Sequence, residues 1–221
     1  MSVGGGMEYG DVIPYEQRLD QDWGRALSEG SRYFEEKSAV QDTLHRIVRR
    51  LDALNVAYAV VGGLALYRHG YRRFTDDVDL LVTADGLKLI HDRLEGLGYV
   101  PPFTGSKQLR DAENGVRIEF LITGAFPGDG KPKPVAFPDP ADVGIKLDGI
   151  AYVNLPTLID LKLASGMTGG IHRIKDLGDV VAIIKARSLP ADFAEQLNPY
   201  VRSRYLEIWD DLQKPDVQEG T

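Results

Sequence analysis

The chain has 221 residues, 43% of them hydrophobic and 27% charged, with a net charge of −7 and no cysteine. That length suits one domain, or one domain with a helical appendage, around a sizeable core, and the composition excludes wholesale disorder. Absent cysteine excludes disulfides and thiolate metal sites, and His45, His69, His91 and His172 form no close-spaced zinc-ligand pair.

The opening MSVGGGMEYG lacks the basic and apolar regions of a signal peptide, and no run reaches the length of a membrane span, so a soluble, cytoplasmic protein is expected. Residues 1–32 carry glycines and scattered charges with little periodicity, which predicts a flexible or loosely packed lead-in. From Tyr33 to Asn55 the pattern becomes helical. Leu44, Ile47, Val48, Leu51 and Leu54 form one stripe, and His45, Arg46, Arg49 and Arg50 fall between them as a solvated face. Ala57 to Val61 is a short apolar run ended by Gly62 and Gly63, which reads as a buried strand meeting a turn that needs close backbone approach. A short helix follows, and then a strand over Asp77 to Val82.

Thr83 can cap the next helix, in which Leu87, Ile90, Leu94 and Leu97 make one stripe that ends near Gly96 and Gly98. Gln108 to Ala112 and Val116 to Ile122 read as a hairpin about Asn114 and Gly115. Residues 123–140 are rich in Pro and Gly and read as an exposed linker, within which Lys131 and Lys133 are long enough to reach a phosphate. Gly144 to Leu147 and Ile150 to Asn154 form a second hairpin about Asp148 and Gly149. A short helix starting at Thr157 carries Lys162, GMTGGIHR reads as a flexible turn, and a further helix aligns Leu177, Val180, Val181 and Ile184. Beyond Ser188, Val201, Tyr205, Ile208 and Leu212 share the face of a closing helix. The expected organisation is a lead-in over 1–32, a catalytic-type domain over 33–188 and a helical extension over 189–221.

The chemistry centres on residues 57–82. Successive strand side chains point to opposite faces, so Asp77 and Asp79 share one face while Val78, Leu80 and Val82 pack on the other. Mg²⁺ prefers oxygen ligands and is usually held by one or two carboxylates plus substrate phosphates. The amides of Gly62 and Gly63 offer a phosphate cradle beside them. Glu119 is a lone carboxylate between Ile118 and Phe120 and needs a partner; an ion pair with Arg110 or Arg117 is one reading.

An apolar pair, Gly-Gly, a gap of about a dozen residues and then Asp-apolar-Asp-apolar stands here as Val60, Val61, Gly62, Gly63, then Asp77, Val78, Asp79, Leu80. This resembles the signature of the nucleotidyltransferase superfamily of DNA polymerase beta. With Arg73 and Thr75, and with a Leu-Lys segment at Lys162 followed by Arg173, Lys175, Asp176 and Asp179, the chain is most similar to bacterial AbiEii-type nucleotidyltransferases of abortive infection and toxin–antitoxin pairs. The resemblance spans roughly residues 45–187. It implies an α+β nucleotidyltransferase fold: a mixed central sheet flanked by helices, with C-terminal helices.

The resemblance also implies a site. Asp77, Asp79 and Glu119 are the metal ligands, Lys162 joins them as a catalytic residue, and Gly62, Gly63, Arg73, Thr75, Lys162 and Asp176 bind nucleotide. The cofactor is Mg²⁺ or Mn²⁺, the substrate is an NTP, and the acceptor is RNA (tRNA-like) or protein, with a cognate antitoxin as a further partner. The acidic total charge weighs against long nucleic acid, leaving Arg68, Arg72 and Arg73, or Arg202 and Arg204, as local patches. Two other readings stay open: a nucleotide-binding or antitoxin-binding module of the same fold without turnover, and transfer to a small molecule.

Overall fold

The computed structural model describes Gly10 and residues 12–214. In chain order the elements are α1 (Tyr15–Gln21), α2 (Trp23–Phe34), α3 (Ala39–Ala53), β1 (Tyr58–Val60), α4 (Gly62–Arg68), β2 (Asp77–Val82), α5 (Ala84–Leu94), β3 (Tyr99–Val100), β4 (Gln108–Asp111), β5 (Arg117–Ile122), α6 (Pro140–Val143), β6 (Gly144–Leu147), β7 (Ile150–Val153), α7 (Leu155–Thr168), α8 (Ile174–Arg187) and α9 (Pro199–Gln213). Short 3-10 turns precede α8 and α9, over Gly170–Arg173 and Ala191–Gln196.

All seven strands form one sheet in the order β3-β4-β5-β2-β1-β7-β6. The sheet is mixed: β2 runs parallel to β5 and β1 parallel to β7, while β1 and β2 are antiparallel. Period-two alternation holds over the first half of β2, where Val78 and Leu80 are fully buried and Asp77 and Asp79 are not, and gives way at Leu81 and Val82, which are both buried. Helix α3 packs against β2 through its predicted stripe, with Leu44, Ile47, Val48 and Leu51 buried. Thr83 caps α5 by accepting the Gly86 N–H at 3.0 Å. That helix ends at Leu94, which leaves Leu97 exposed rather than part of the stripe. Helices α7 and α8 pack together on the carboxylate side, and α9 closes them with Val201, Tyr205 and Ile208. Among the described residues no helix is long and apolar enough to cross a membrane.

Three stretches differ from their sequence reading. The lead-in is helical from Tyr15 onward: Asp22 caps α2 by accepting the Arg25 N–H at 2.9 Å, and Tyr15 and Tyr33 are fully buried. The apolar pattern hid this, because Trp23, Leu27 and Phe34 of α2 face solvent and tyrosines make the core contacts. Residues 1–9 and 11 of the lead-in, and 215–221 of the C-terminal extension, lie outside the described residues.

Helix α7 does not yield to a flexible turn at Gly166 but continues to Thr168. A Cβ at Gly166 would sit 2.6 Å from the Leu177 side chain, so this glycine serves the close approach of α7 to α8. The third stretch is the supposed linker. Gly124 N–H donates to the Phe137 carbonyl and Phe137 N–H to the Ala125 carbonyl, each at 2.8 Å, and Val135 is buried. The Lys133 side chain is only 5% exposed and donates to the Pro127 carbonyl at 2.5 Å, Asp129 at 2.6 Å and the Thr168 hydroxyl at 2.9 Å. It clips the loop to α7 and is not free to reach a phosphate.

Candidate active site

The β1–α4 turn approaches β2 as closely as backbone can. Gly62 has φ of 63°, and a Cβ there would collide with the Asp79 carboxylate. A Cβ at Gly63 would lie 2.7 Å from that of Thr75. The two glycines let the turn lie directly on the carboxylate strand. Beside it, the Thr75 hydroxyl donates to Asp77 at 2.7 Å, and Arg117 donates to the other Asp77 oxygen at 2.7 Å. Asp77 stands opposite Arg117, and Asp79 opposite Glu119, in the parallel β2–β5 register.

Glu119 therefore meets neither of the arginines considered for it. Arg117 goes to Asp77, and Arg110 donates to Glu16 at 2.9 and 3.0 Å and to the Gly115 carbonyl. Glu119 has no ion pair among the described residues. The Arg117 Nε is buried without a hydrogen-bond partner among them. Burial first, then the charges of Asp77 and Glu119, push the Asp79 carboxyl up to about 7 against the pull of Lys162 and Arg117.

A second charged group lies behind the carboxylates. The Lys162 Nζ sits 2.8 Å from Asp176 and 2.7 Å from Asp179. Arg73 donates to both Asp179 oxygens, at 2.9 and 3.1 Å, and to the Phe74 carbonyl. Burial raises the Asp176 carboxyl, but Lys162 and the Ser165 hydroxyl, which donates at 2.7 Å, bring it net below its ordinary value. Lys162 and Arg73 are thus fixed by buried aspartates at the cavity wall, a geometry that holds positive charge in place at low entropic cost.

One cavity of about 300 Å³ collects these groups, at the lower end of the range of ligand pockets. Gly62, Gly63, Arg73, Thr75, Asp77, Asp79, Glu119, Lys162 and Asp176 all line it. Sequence reasoning had not placed Leu121, Pro127, Gly128, Phe137, Leu158, Leu161 and Ser165 there. Two signals pointed to some of them: strand alternation puts Leu121 on the Glu119 face, and helical spacing puts Leu158, Leu161 and Ser165 on the Lys162 face.

Among the described residues no three His, Cys, Asp or Glu side chains converge closely enough to hold a metal ion by themselves. The donors nevertheless are all oxygen, and Asp79 and Glu119 stand opposite each other with no ion pair to either among the described residues. Mg²⁺ and Mn²⁺ suit such an open set, which needs only one or two carboxylates completed by phosphate and water. The residues fit.

This sheet, with paired aspartates on the central strand beside a Gly-Gly turn, is the nucleotidyltransferase fold. The solution structure of the antibiotic-resistance factor ANT(2'')-Ia matches 76% of this chain and 94% of its own, at 16% identity and a TM-score of 0.50. The crystal structure of ANT(2'')-Ia in complex with adenylyl-2''-tobramycin matches 76% and 97% at 16% identity, with a TM-score of 0.47. An antigenic nucleotidyltransferase-like protein from Paracoccidioides brasiliensis matches 76% and 85% at 17% identity, with a TM-score of 0.45. No family model and no curated protein matches the chain.

Proposed function

We propose that the chain is a nucleotidyltransferase of the AbiEii type, moving a nucleoside monophosphate from an NTP to an RNA (tRNA-like) or protein acceptor in the cytoplasm, as the toxin of a toxin–antitoxin or abortive-infection pair. The observation that carries the transferase reading is the cross-strand set of Asp77, Asp79 and Glu119 beside Gly62–Gly63 and Lys162 in one cavity. The AbiEii assignment rests on the sequence pattern at Lys162, Arg173, Lys175 and Asp176.

In this mechanism Asp77, Asp79 and Glu119 would hold Mg²⁺ or Mn²⁺ together with substrate phosphate and water, and the cation would supply neutralising charge for the phosphates. Gly62 and Gly63 present the turn backbone to the triphosphate, and Lys162 and Arg73, fixed on Asp176 and Asp179, place positive charge beside it. Thr75 orients Asp77 through its hydroxyl. An acceptor oxygen attacks the α-phosphorus, the α–β anhydride bond breaks in line, and pyrophosphate leaves. Glu119, which has no ion pair among the described residues, takes the acceptor proton.

The test is incubation of the protein, and of an Asp77→Ala, Asp79→Ala variant, with each α-labelled NTP, Mg²⁺ and an extract of total RNA and protein. Label entering one RNA or protein band only with intact aspartates supports the reading and names the acceptor class. Nucleotide binding without label in any band would overturn the macromolecular acceptor.

A further inference from the structure

A second cavity, of about 520 Å³, lies on the other face of the sheet. Residues directly opposite each other on paired strands share a face, so Leu109 stands with Ile118, and Ile118 with Val78, on the side that α3 covers. Alternation puts Asp111, two residues after Leu109, on that side, and its cross-strand partner Tyr99 with it. Asp77, Asp79 and Glu119 occupy the reverse side. The two cavities share no lining residue.

One wall of the second cavity is a stripe of α3. Arg46, Arg49, Arg50 and Ala53 recur at helical spacing, away from the buried Leu44, Ile47, Val48 and Leu51. The three arginines are unequally committed. Arg46 donates to Asp111 at 2.8 and 3.0 Å and pairs with Glu113 at 3.2 Å, which ties it into the wall. Arg49 donates its Nε to the His45 carbonyl at 3.0 Å and has no ion pair among the described residues. The Arg50 side chain has neither hydrogen bond nor ion pair among them. In a chain of net charge −7, two adjacent guanidiniums thus line one cavity with no carboxylate of their own.

The sheet side supplies a buried donor. Tyr99 lines the cavity, is 4% exposed, and its hydroxyl makes no hydrogen bond among the described residues. Burial first, then Asp111, push that hydroxyl up to about 12 against Arg46, Arg50 and Arg49, so at neutral pH it keeps its proton and can donate it. A hydroxyl buried without a partner carries a desolvation penalty that a ligand oxygen would relieve. Leu97, 66% exposed, and Ala53 add hydrocarbon to the lining.

We propose that this cavity binds a phosphomonoester, its phosphate held by Arg49, Arg50 and the Tyr99 hydroxyl and its organic group set against Ala53 and Leu97. The planar guanidinium fork matches phosphate oxygens. A phosphomonoester carries about −1.5 to −2 at pH 7, the charge that two unpaired arginines offset, whereas a carboxylate would balance one of them. Two sources present this group: a free sugar phosphate and the 5′-phosphorylated end of an RNA. The site stands apart from the transferase cavity and does not depend on its reading.

The experiment is calorimetric titration, without divalent cation, of wild type, Arg50→Gln and Tyr99→Phe. The probes are ribose 5-phosphate, ribose, and one short RNA with either a 5′-phosphate or a 5′-hydroxyl. Arg50 is exposed and unpaired, so its substitution leaves the fold intact, and circular dichroism checks Tyr99→Phe. Ribose 5-phosphate should bind wild type and ribose should not. Arg50→Gln should weaken that binding about tenfold or more, and Tyr99→Phe should weaken it by a smaller factor. Binding of the phosphorylated RNA but not of its hydroxyl form supports the proposal and names the RNA end as the source; binding of ribose 5-phosphate with neither RNA supports it and names the small molecule. Ribose 5-phosphate that fails to bind wild type, or binds Arg50→Gln equally well, would overturn the site, since a phosphate seated in the β2–β5 cavity does not involve Arg50.

Discussion

Asp79 and Glu119 stand directly opposite each other on the parallel strands β2 and β5, and of the three strand carboxylates only Asp77, two residues from Asp79, has an arginine partner among the described residues. Two like charges on adjacent strands at one register position repel, and burial strengthens the repulsion by removing water. Burial is the first cause of the raised Asp79 carboxyl, and the charges of Asp77 and then Glu119 add to it.

The stability contributed by Asp79 should therefore fall as pH rises. Asp79 moves from 3.8 to about 7 on folding, so the native state binds the extra proton in that window. Its favourable contribution is complete below about pH 4 and gone above about pH 7. Asp79→Asn removes this slope, and by roughly 2–4 kcal/mol is more stable than wild type at pH 8, with the difference shrinking toward pH 4. Urea denaturation at pH 5 and pH 8 checks it; equal slopes in the two proteins would contradict a raised Asp79 carboxyl.

Asp160, on α7, provides a second case with different partners. Burial, opposed by the Asn198 N–H at 2.9 Å and by Arg202, raises its carboxyl to about 6. The sign is the same: stability from this group is present below about pH 4 and lost as pH passes about 6. Asparagine keeps the acceptor for Asn198, so Asp160→Asn should stabilise by about 1–3 kcal/mol at pH 7.5 and by nothing near pH 4. Thermal melts at the two pH values read this directly.

Removing Lys162 leaves Asp176 with only the Ser165 hydroxyl, while Asp179 keeps Arg73. Lys162→Met should cost about 3–5 kcal/mol, as expected for an abandoned buried charge. Adding Asp176→Asn should recover a large part of it, and a double-mutant cycle in urea measures the coupling. Additive losses would mean that the pair in the structure is energetically idle.

The Lys133 clip predicts a local effect. Lys133→Met deletes the three bonds that hold the Pro127–Gly128 turn to α7 and should cost about 1–3 kcal/mol. Proteolysis within residues 123–140 should accelerate more than global unfolding does. Unchanged cleavage would show that Val135 and Phe137 hold the loop unaided.

Much of this arrangement was legible in the sequence where a short period decides. The two-residue alternation of DVDLLV separated carboxylates from core, Asn114–Gly115 and Asp148–Gly149 marked their hairpins, and the Leu44–Leu51 stripe marked α3. The remainder depends on contacts between distant residues. Arg117 could have met Asp77 or Glu119, and only the parallel register put it opposite Asp77. A Pro- and Gly-rich loop reads as a linker until a buried lysine is seen to pin it. The glycine at position 166 reads as a break until Leu177 is seen against it. In α1 and α2 the exposed Trp23 and Leu27 carry the apolar signal away from the buried face.

The measurement that bears most directly on the site is Mn²⁺ binding, followed by electron paramagnetic resonance, with a non-hydrolysable NTP analogue present. Wild type should bind Mn²⁺ in a nucleotide-dependent way, and Asp79→Asn and Glu119→Gln should each weaken it by about tenfold or more while remaining folded. Mn²⁺ binding that is equal in wild type and both variants would contradict a cation site built on these strands.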